Sequence, residues 1–254
     1  MTQTTVPVIF DLDGTLVDPA GGITGGIAAA LTELGLPVPD SSRMDAMVGP
    51  KLGHALTQIA GVPAALLGDV IRIYRGHYAS TGIAQSRLYP GIRGLLEDFV
   101  AAGRPLAVAT QKPEGLARTV LEHHGIAGFF HSIRGSAADE SATGPGTAPV
   151  PEGSVPEGKA SIVAAALTDL AAAVPSMAGR AMMVGDRAQD VAGAAANGLD
   201  CVGVGWGFAL EGELHEAGAV EVVHDAAALY ATITRLSERP ETTALNGVHA
   251  DGNV

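Results

Sequence analysis

Short apolar runs recur along the chain with a spacing that favours one kind of sheet. They occupy 6–11 (VPVIFD), 104–110 (RPLAVAT), 180–184 (RAMMV), 200–204 (DCVGV) and 220–223 (VEVV), with a weaker run near 132–134, and Gly, Asp or Pro bounds them. Continuous apolar runs suit strands buried on both faces. Helical stripes lie between them: Ile92, Leu95, Leu96 and Phe99 form one, and Ile162, Val163, Ala166, Leu167 and Leu170 another. This alternation predicts an α/β fold, a Rossmann-like open parallel sheet wrapped by helices. Such sheets bind ligands at the carboxyl ends of their strands.

Two segments interrupt the pattern. From 18 to 88 only helical signals appear, carried by Ile23, Ile27, Leu31 and Leu34, then Leu52, Leu56 and Ile59, then Leu67, Val70, Ile71, Tyr74 and Tyr78. Some seventy residues are too many for a crossover, so a helical module is expected here, inserted after the first strand and returning at Leu88-Tyr89-Pro90-Gly91. The core is then 5–17 with 89–236. The stretch 136–158, rich in Gly, Pro, Ser and Ala, reads as a flexible surface loop, and the tail over 237–254 reads as disordered.

Composition narrows the function. With 47% hydrophobic residues, the chain of 254 residues has enough apolar matter for a sizeable core. Its 27 acidic against 15 basic residues, −12 net, disfavour nucleic acid and anionic membrane as partners. The start, MTQTTVPVIF, lacks a signal-peptide pattern, no run approaches a membrane span, and the lone Cys201 allows no internal disulfide. A soluble cytoplasmic protein is expected, with monomer and homodimer both open.

The first strand ends in two carboxylates one residue apart, Asp11 and Asp13. Side-chain alternation puts them on one side of the strand, at the sheet edge where α/β sites form. Such a pair makes sense around a divalent cation, since hard oxygen ligands suit Mg²⁺. Thr15 and the Gly14 N–H add donors ready for phosphate. The run at 104–110 ends in Thr110-Gln111-Lys112, bringing a hydroxyl to the same edge, and the run at 180–184 ends in Gly185-Asp186-Arg187-Ala188-Gln189-Asp190, adding two carboxylates. Asp186 is also placed to cap the helix that follows. Lys159 heads the helix before the next strand.

Together these residues resemble the haloacid dehalogenase superfamily, and within it the branch that is similar to phosphoglycolate phosphatases. DLDGT at 11–15, the threonine of ATQKP at 110, Lys159 in EGKASIV and GDRAQDVAGAAANG at 185–198 match its motifs in order, and the match covers most of 5–235. The resemblance implies that 18–88 is a cap domain and that the enzyme is a Mg²⁺-dependent phosphatase of small phosphorylated metabolites. Asp11 would be the nucleophile, and Asp13 the acid and base. Asp11, Asp13 (through its carbonyl) and Asp186 would hold the metal, with Asp190 supporting them. Gly14, Thr110, Gln111 and Lys159 would bind the phosphate. Gln111 stands where the family has Ser or Asn. The long loop before Lys159 lacks the family's Asp-Gly-Arg stretch, which leaves Lys112 as a weaker substitute for that lysine.

The resemblance also reaches a bacterial protein-tyrosine kinase on the same scaffold, with a similar GDRxxD motif and a segment like Val204-Gly205-Trp206-Gly207; that kinase carries a long N-terminal extension that this sequence does not show, and kinase activity is the alternative. Residues 153–160, GSVPEGKA, approach a nucleotide-binding P-loop but put Ala160 where its hydroxyl belongs. Gly203-Val204-Gly205-Trp206-Gly207 is not a dinucleotide fingerprint, and the histidines lack zinc-ligand spacing. His123 and His124 are expected to complement a helix dipole, and Trp206 to pack near the rim of the site.

Overall fold

A computed structural model describes residues 6–19, 21–136, 158–174 and 181–238. Among these residues are eight strands, with helices between most of them. The strands are β1 (Val8–Phe10), β2 (Val17–Asp18), β3 (Arg87–Leu88), β4 (Leu106–Pro113), β5 (Ser132–Ser136), β6 (Met182–Gly185), β7 (Asp200–Val204) and β8 (Glu221–Val223). Six of them form one sheet in the order β5-β4-β1-β6-β7-β8, with every neighbouring pair parallel. The expected α/β fold is therefore observed. The predicted loop over 136–158 and tail over 237–254 fall almost wholly outside the described residues.

Every residue of β1 is fully buried, because β4 and β6 flank it and helices cover both faces. Alternation divides its side chains between two apolar layers. Val8 and Phe10 join Val108, Val184 and Val202 on one face; Ile9 joins Ala107, Ala109, Met183 and Cys201 on the other. The first layer is closed by α6 (Ile92–Ala101), α7 (Glu114–His123) and α11 (Ala226–Ser237), the second by α8 (Lys159–Ala173), α9 (Ala188–Ala195) and α10 (Glu213–Ala217). The stripes over 92–99 and 162–170 are the buried faces of α6 and α8. No helix among the described residues is long and apolar enough to cross a membrane.

The stretch 22–85 is helical: α1 (Gly22–Glu33), α2 (Ser41–Asp45), α3 (Leu52–His54), α4 (Leu67–His77) and α5 (Ile83–Gln85), with π-helical turns at Ala55–Ile59 and Tyr78–Gly82. The chain leaves the core through β2 and returns through β3, and these two short strands pair antiparallel. Small residues let the helices approach closely. A Cβ on Gly22 would lie 2.7 Å from the Gly82 carbonyl oxygen, and one on Gly26 would lie 3.2 Å from the Tyr74 ring.

His124 departs from the expectation, whereas His123 lies in the last turn of α7, as expected. His124 sits at the C-cap of α7, but its Nε2 lies 2.8 Å from Ser86 Oγ, at the return into β3. Burial, then His123 and Arg93, lower its pKa, which favours the neutral ring at this contact between two segments.

Phe99 is fully buried, with its ring 6.3 Å from Phe10 and 5.2 Å from Tyr230, and the Arg104 guanidinium lies 5.4 Å from its centre. Phe99→Ala should destabilise the chain by about 3–5 kcal/mol, read as a lowered urea midpoint with an unchanged slope.

Candidate active site

The pairing of β1 runs one residue past the strand, where Asp11 N–H donates to the Val184 carbonyl at 2.9 Å. The chain then turns sharply, and the Leu12 carbonyl accepts from the N–H groups of Thr15, Leu16 and Val17. This turn, rather than strand alternation, brings both Asp11 and Asp13 to the floor of one cleft, because the strand has already ended at Phe10. Gly14 makes the turn possible. Its φ is +88°, and a Cβ there would lie 2.1 Å from Asp186 Oδ2. Its N–H donates to the Val17 carbonyl at 2.9 Å, so the expectation that this N–H faces phosphate is corrected: the turn consumes it.

On the neighbouring strand, register shifts between Ala109 and Pro113, a bulge that turns 110–112 toward the cleft. Thr110 is buried, and its hydroxyl oxygen accepts from Lys112 N–H at 3.2 Å, which leaves the hydroxyl proton free for an acceptor in the cleft. Gln111 lines the cleft beside it. Lys112 was expected to be a weaker candidate, yet it is buried, and its Nζ lies 2.6 Å from Asp13 Oδ2 and 4.7 Å from the Tyr78 ring centre. Burial alone would lower its pKa; Asp13 and the two tyrosines at 74 and 78 outweigh that and raise it, so the ammonium stays charged. Asp13 Oδ1 is buried and has no hydrogen-bond partner among the described residues. Burial raises the Asp13 pKa against the pull of Lys112.

Lys159 opens α8 and reaches the same floor. Its buried Nζ lies 2.6 Å from Asp11 Oδ1 and 2.7 Å from Asp190 Oδ1. Gly193 makes room for it, since a Cβ there would lie 2.7 Å from Lys159 Cγ. Asp190 Oδ2 accepts from the Arg187 N–H at 3.0 Å, so Asp190 rather than Asp186 caps α9. Asp186 is held from elsewhere: Thr15 Oγ1 donates to its Oδ1 at 3.2 Å, and Phe208 N–H to its Oδ2 at 2.8 Å. Gly207 lets that strand-end loop close in, because a Cβ there would lie 2.4 Å from the Asp186 side chain. Trp206 packs on the same turn, with Nε1 donating to the Thr15 carbonyl at 3.1 Å and its ring beside Tyr89.

Asp11, Asp186 and Asp190 each offer a carboxylate oxygen within 4.8 Å of the others, and all three are buried. A buried, all-oxygen, anionic donor set fits a hard divalent cation. The protonation states agree. Burial, then Asp190 and Asp11, raise the Asp186 pKa well above the usual carboxylate range. Burial raises Asp190 to about 6 despite Lys159.

Above the floor the cleft continues onto the helical segment, where Ile23, Met47, Leu52 and Tyr74 form apolar walls with Leu116, and Arg75 adds a charge. Neither the burial of Lys112 nor the wrapping of Asp186 by 205–208 follows from the local sequence pattern. The available signals were the position of Lys112 two residues beyond a strand-end threonine and the glycines of GVGWG.

The family model of haloacid dehalogenase-like hydrolases matches residues 8–198. A 5′-nucleotidase of Pseudomonas aeruginosa is 35% identical over 222 residues, 87% of this chain and 92% of that protein. The tyrosine-protein kinase PtkA of Mycobacterium tuberculosis is 39% identical over 219 residues, 86% of this chain and 68% of that protein. The crystal structure of a predicted phosphatase from Clostridium acetobutylicum superimposes with a TM-score of 0.77 at 31% identity, covering 91% of this chain and 99% of that one.

The raised pKa of Asp190 gives a signed prediction. Folded, Asp190 keeps its proton to about pH 6, against an ordinary value of 3.8, so between these values the folded chain binds more protons than the unfolded one. Its contribution to stability therefore falls as pH rises from 4 through 6. The thermal midpoint of the metal-free chain minus that of Asp190→Asn should decrease across that interval, and a difference that rises or stays flat contradicts the assignment.

Proposed function

The chain belongs to the haloacid dehalogenase-like hydrolases, and on that footing we propose that it is a Mg²⁺-dependent phosphomonoester hydrolase working through an aspartyl-phosphate on Asp11. One arrangement carries the reading: Asp11 and Asp13 share the floor of one cleft, each held by its own buried lysine, and Asp11 also belongs to a three-aspartate cluster. The helical segment over 18–88 would be a cap.

Asp11 would attack phosphorus in line with the departing ester oxygen, forming the acyl-phosphate bond as the ester P–O bond breaks. Asp13 would give its proton to the departing oxygen. Lys112 holds Oδ2, so the unpartnered Oδ1 is the oxygen suited to carry that proton, and burial favours its protonated form. Ionised Asp13 would then take a proton from water as that water attacks phosphorus, releasing phosphate and restoring Asp11. The Thr110 hydroxyl and Lys159 would hold phosphoryl oxygens, with Gln111 bordering them. The Asp11 carboxylate, the Asp13 carbonyl and Asp186 would hold Mg²⁺, with Asp190 in support. When bound, the cation would neutralise the charge that gathers on the transferring phosphoryl group.

The cleft, with the helical segment as its upper wall, suits a small metabolite. Its apolar walls suit the flat body of a nucleoside monophosphate better than a two-carbon acid such as phosphoglycolate; sugar phosphates lie between these. The similarity to a 5′-nucleotidase supports this order. The similarity to a tyrosine-protein kinase supports a second reading, transfer to a protein tyrosine.

Purified chain incubated with a phosphomonoester panel, with and without Mg²⁺, should release phosphate only with the metal and fastest from nucleoside monophosphates. Asp11→Asn should lower turnover by at least about 10³-fold and Asp13→Asn by about 10²–10⁴-fold, both remaining folded. Labelled ATP with acceptor proteins is the opposing arm: Asp11-dependent tyrosine labelling, with no monoester turned over, would replace the phosphatase reading.

A further inference from the structure

Arg187 lies between two of the clustered aspartates, but its side chain points away from them, toward the cap. Its Nε donates to Glu213 Oε1 at 2.9 Å, and Nη1 donates to the Val48 carbonyl oxygen at 2.8 Å. Glu213 is itself fixed, accepting the N–H of Ala188 at 2.8 Å and of Leu210 at 2.9 Å. The guanidinium is thus anchored on the core side and spends a second donor on cap backbone, with both ionic side chains largely buried.

The adjoining cap residues fit the same surface. Gly49 has φ +103°, and a Cβ on it would lie 2.8 Å from Gln189 Nε2 and 3.3 Å from Arg187 Cγ. Both residues of the α9 entry that project from the metal-binding turn therefore touch the cap loop over 47–50. Met47, Gly49 and Pro50 of that loop line the cleft.

We propose that Arg187 is a positioning residue that latches the 47–50 loop of the cap onto the turn carrying Asp186 and Asp190, so that the substrate-facing wall is set by the turn that carries the metal ligands. The inference rests on the reading of the cleft as a phosphoester site with 18–88 as its cap. Arg187 acts through Val48 and touches neither substrate nor phosphate. The two donors leave the guanidinium in different, fixed directions, so Lys cannot reproduce the bridge. Released from the latch, the loop would leave the floor intact while loosening its grip on the substrate body.

Hydrogen exchange on the metal-free full chain is the first readout, since it needs neither substrate nor turnover. In Arg187→Met, and equally in Arg187→Lys, the amides of Val48, Gly49, Lys51 and Leu52 should exchange about tenfold faster, equivalent to about 1.4 kcal/mol of lost closure. Mg²⁺ affinity measured by calorimetry should change less than about twofold, and KM for the best panel substrate should rise about tenfold while kcat falls by less than about threefold. Unchanged exchange over 48–52 in a folded variant overturns the latch. So does a Mg²⁺ affinity that falls as much as KM rises, because Arg187 would then serve the metal turn. If the Arg187 variants do not fold, Gly49→Ala attacks the same contact from the cap side and should give the same local exchange; normal protection there also overturns the proposal. Absence of turnover on every phosphoester would sink the hydrolase reading and leave the exchange result standing on its own.

Discussion

Charge compensation under the cleft is the constraint around which the molecule is arranged. Asp11, Asp13, Asp186 and Asp190 are all buried at one edge of the sheet, and Lys112 and Lys159 are the buried ammonium groups that face them. Four carboxylates against two ammonium groups leave an excess of two negative charges when all are ionised. Uncompensated charges in a low-dielectric interior are costly, and proton uptake is the usual relief, which is the direction in which Asp13, Asp186 and Asp190 are displaced. A divalent cation has the charge that balances the set.

The floor is packed as tightly as a hydrophobic core, and small residues make that possible. Gly14 and Gly207 close on Asp186, Gly185 on Asp190, and Gly193 on Lys159, each at a distance where a Cβ would overlap a charged side chain or its stem. Rigid seating of this kind orients the carboxylates before any substrate arrives, which is what positioning and electrostatic catalysis require.

Much of this was legible from sequence because strand ends are local features. Apolar runs ending in Asp11, Thr110 and Asp186 announce a shared edge once a parallel sheet is inferred, since parallel strands present like ends together. The delivery of Lys159 depended on the helix it heads rather than on the length of the loop before it. What could not be read were contacts decided by tertiary enclosure. Lys112 looks like any polar residue after a strand until a bulge turns it inward beneath Tyr78. Gly14 looks like a phosphate donor until the turn takes its N–H for Val17. His124 is bound by Ser86, thirty-eight residues earlier, which no local pattern encodes.

The pairing of β2 with β3 has a consequence for how such a chain can change over time. Both ends of the 18–88 segment cross into the core at one doorway only two residues wide, so the sheet on either side is joined as it would be by a short hairpin. A lineage could lengthen, shorten or exchange what hangs beyond that doorway without re-registering a single strand of the sheet. Inheritance of the chemistry and diversification of the cargo can then proceed on separate clocks, with the few residues that bridge the two, Arg187 and Lys112 among them, as the places where the clocks must agree.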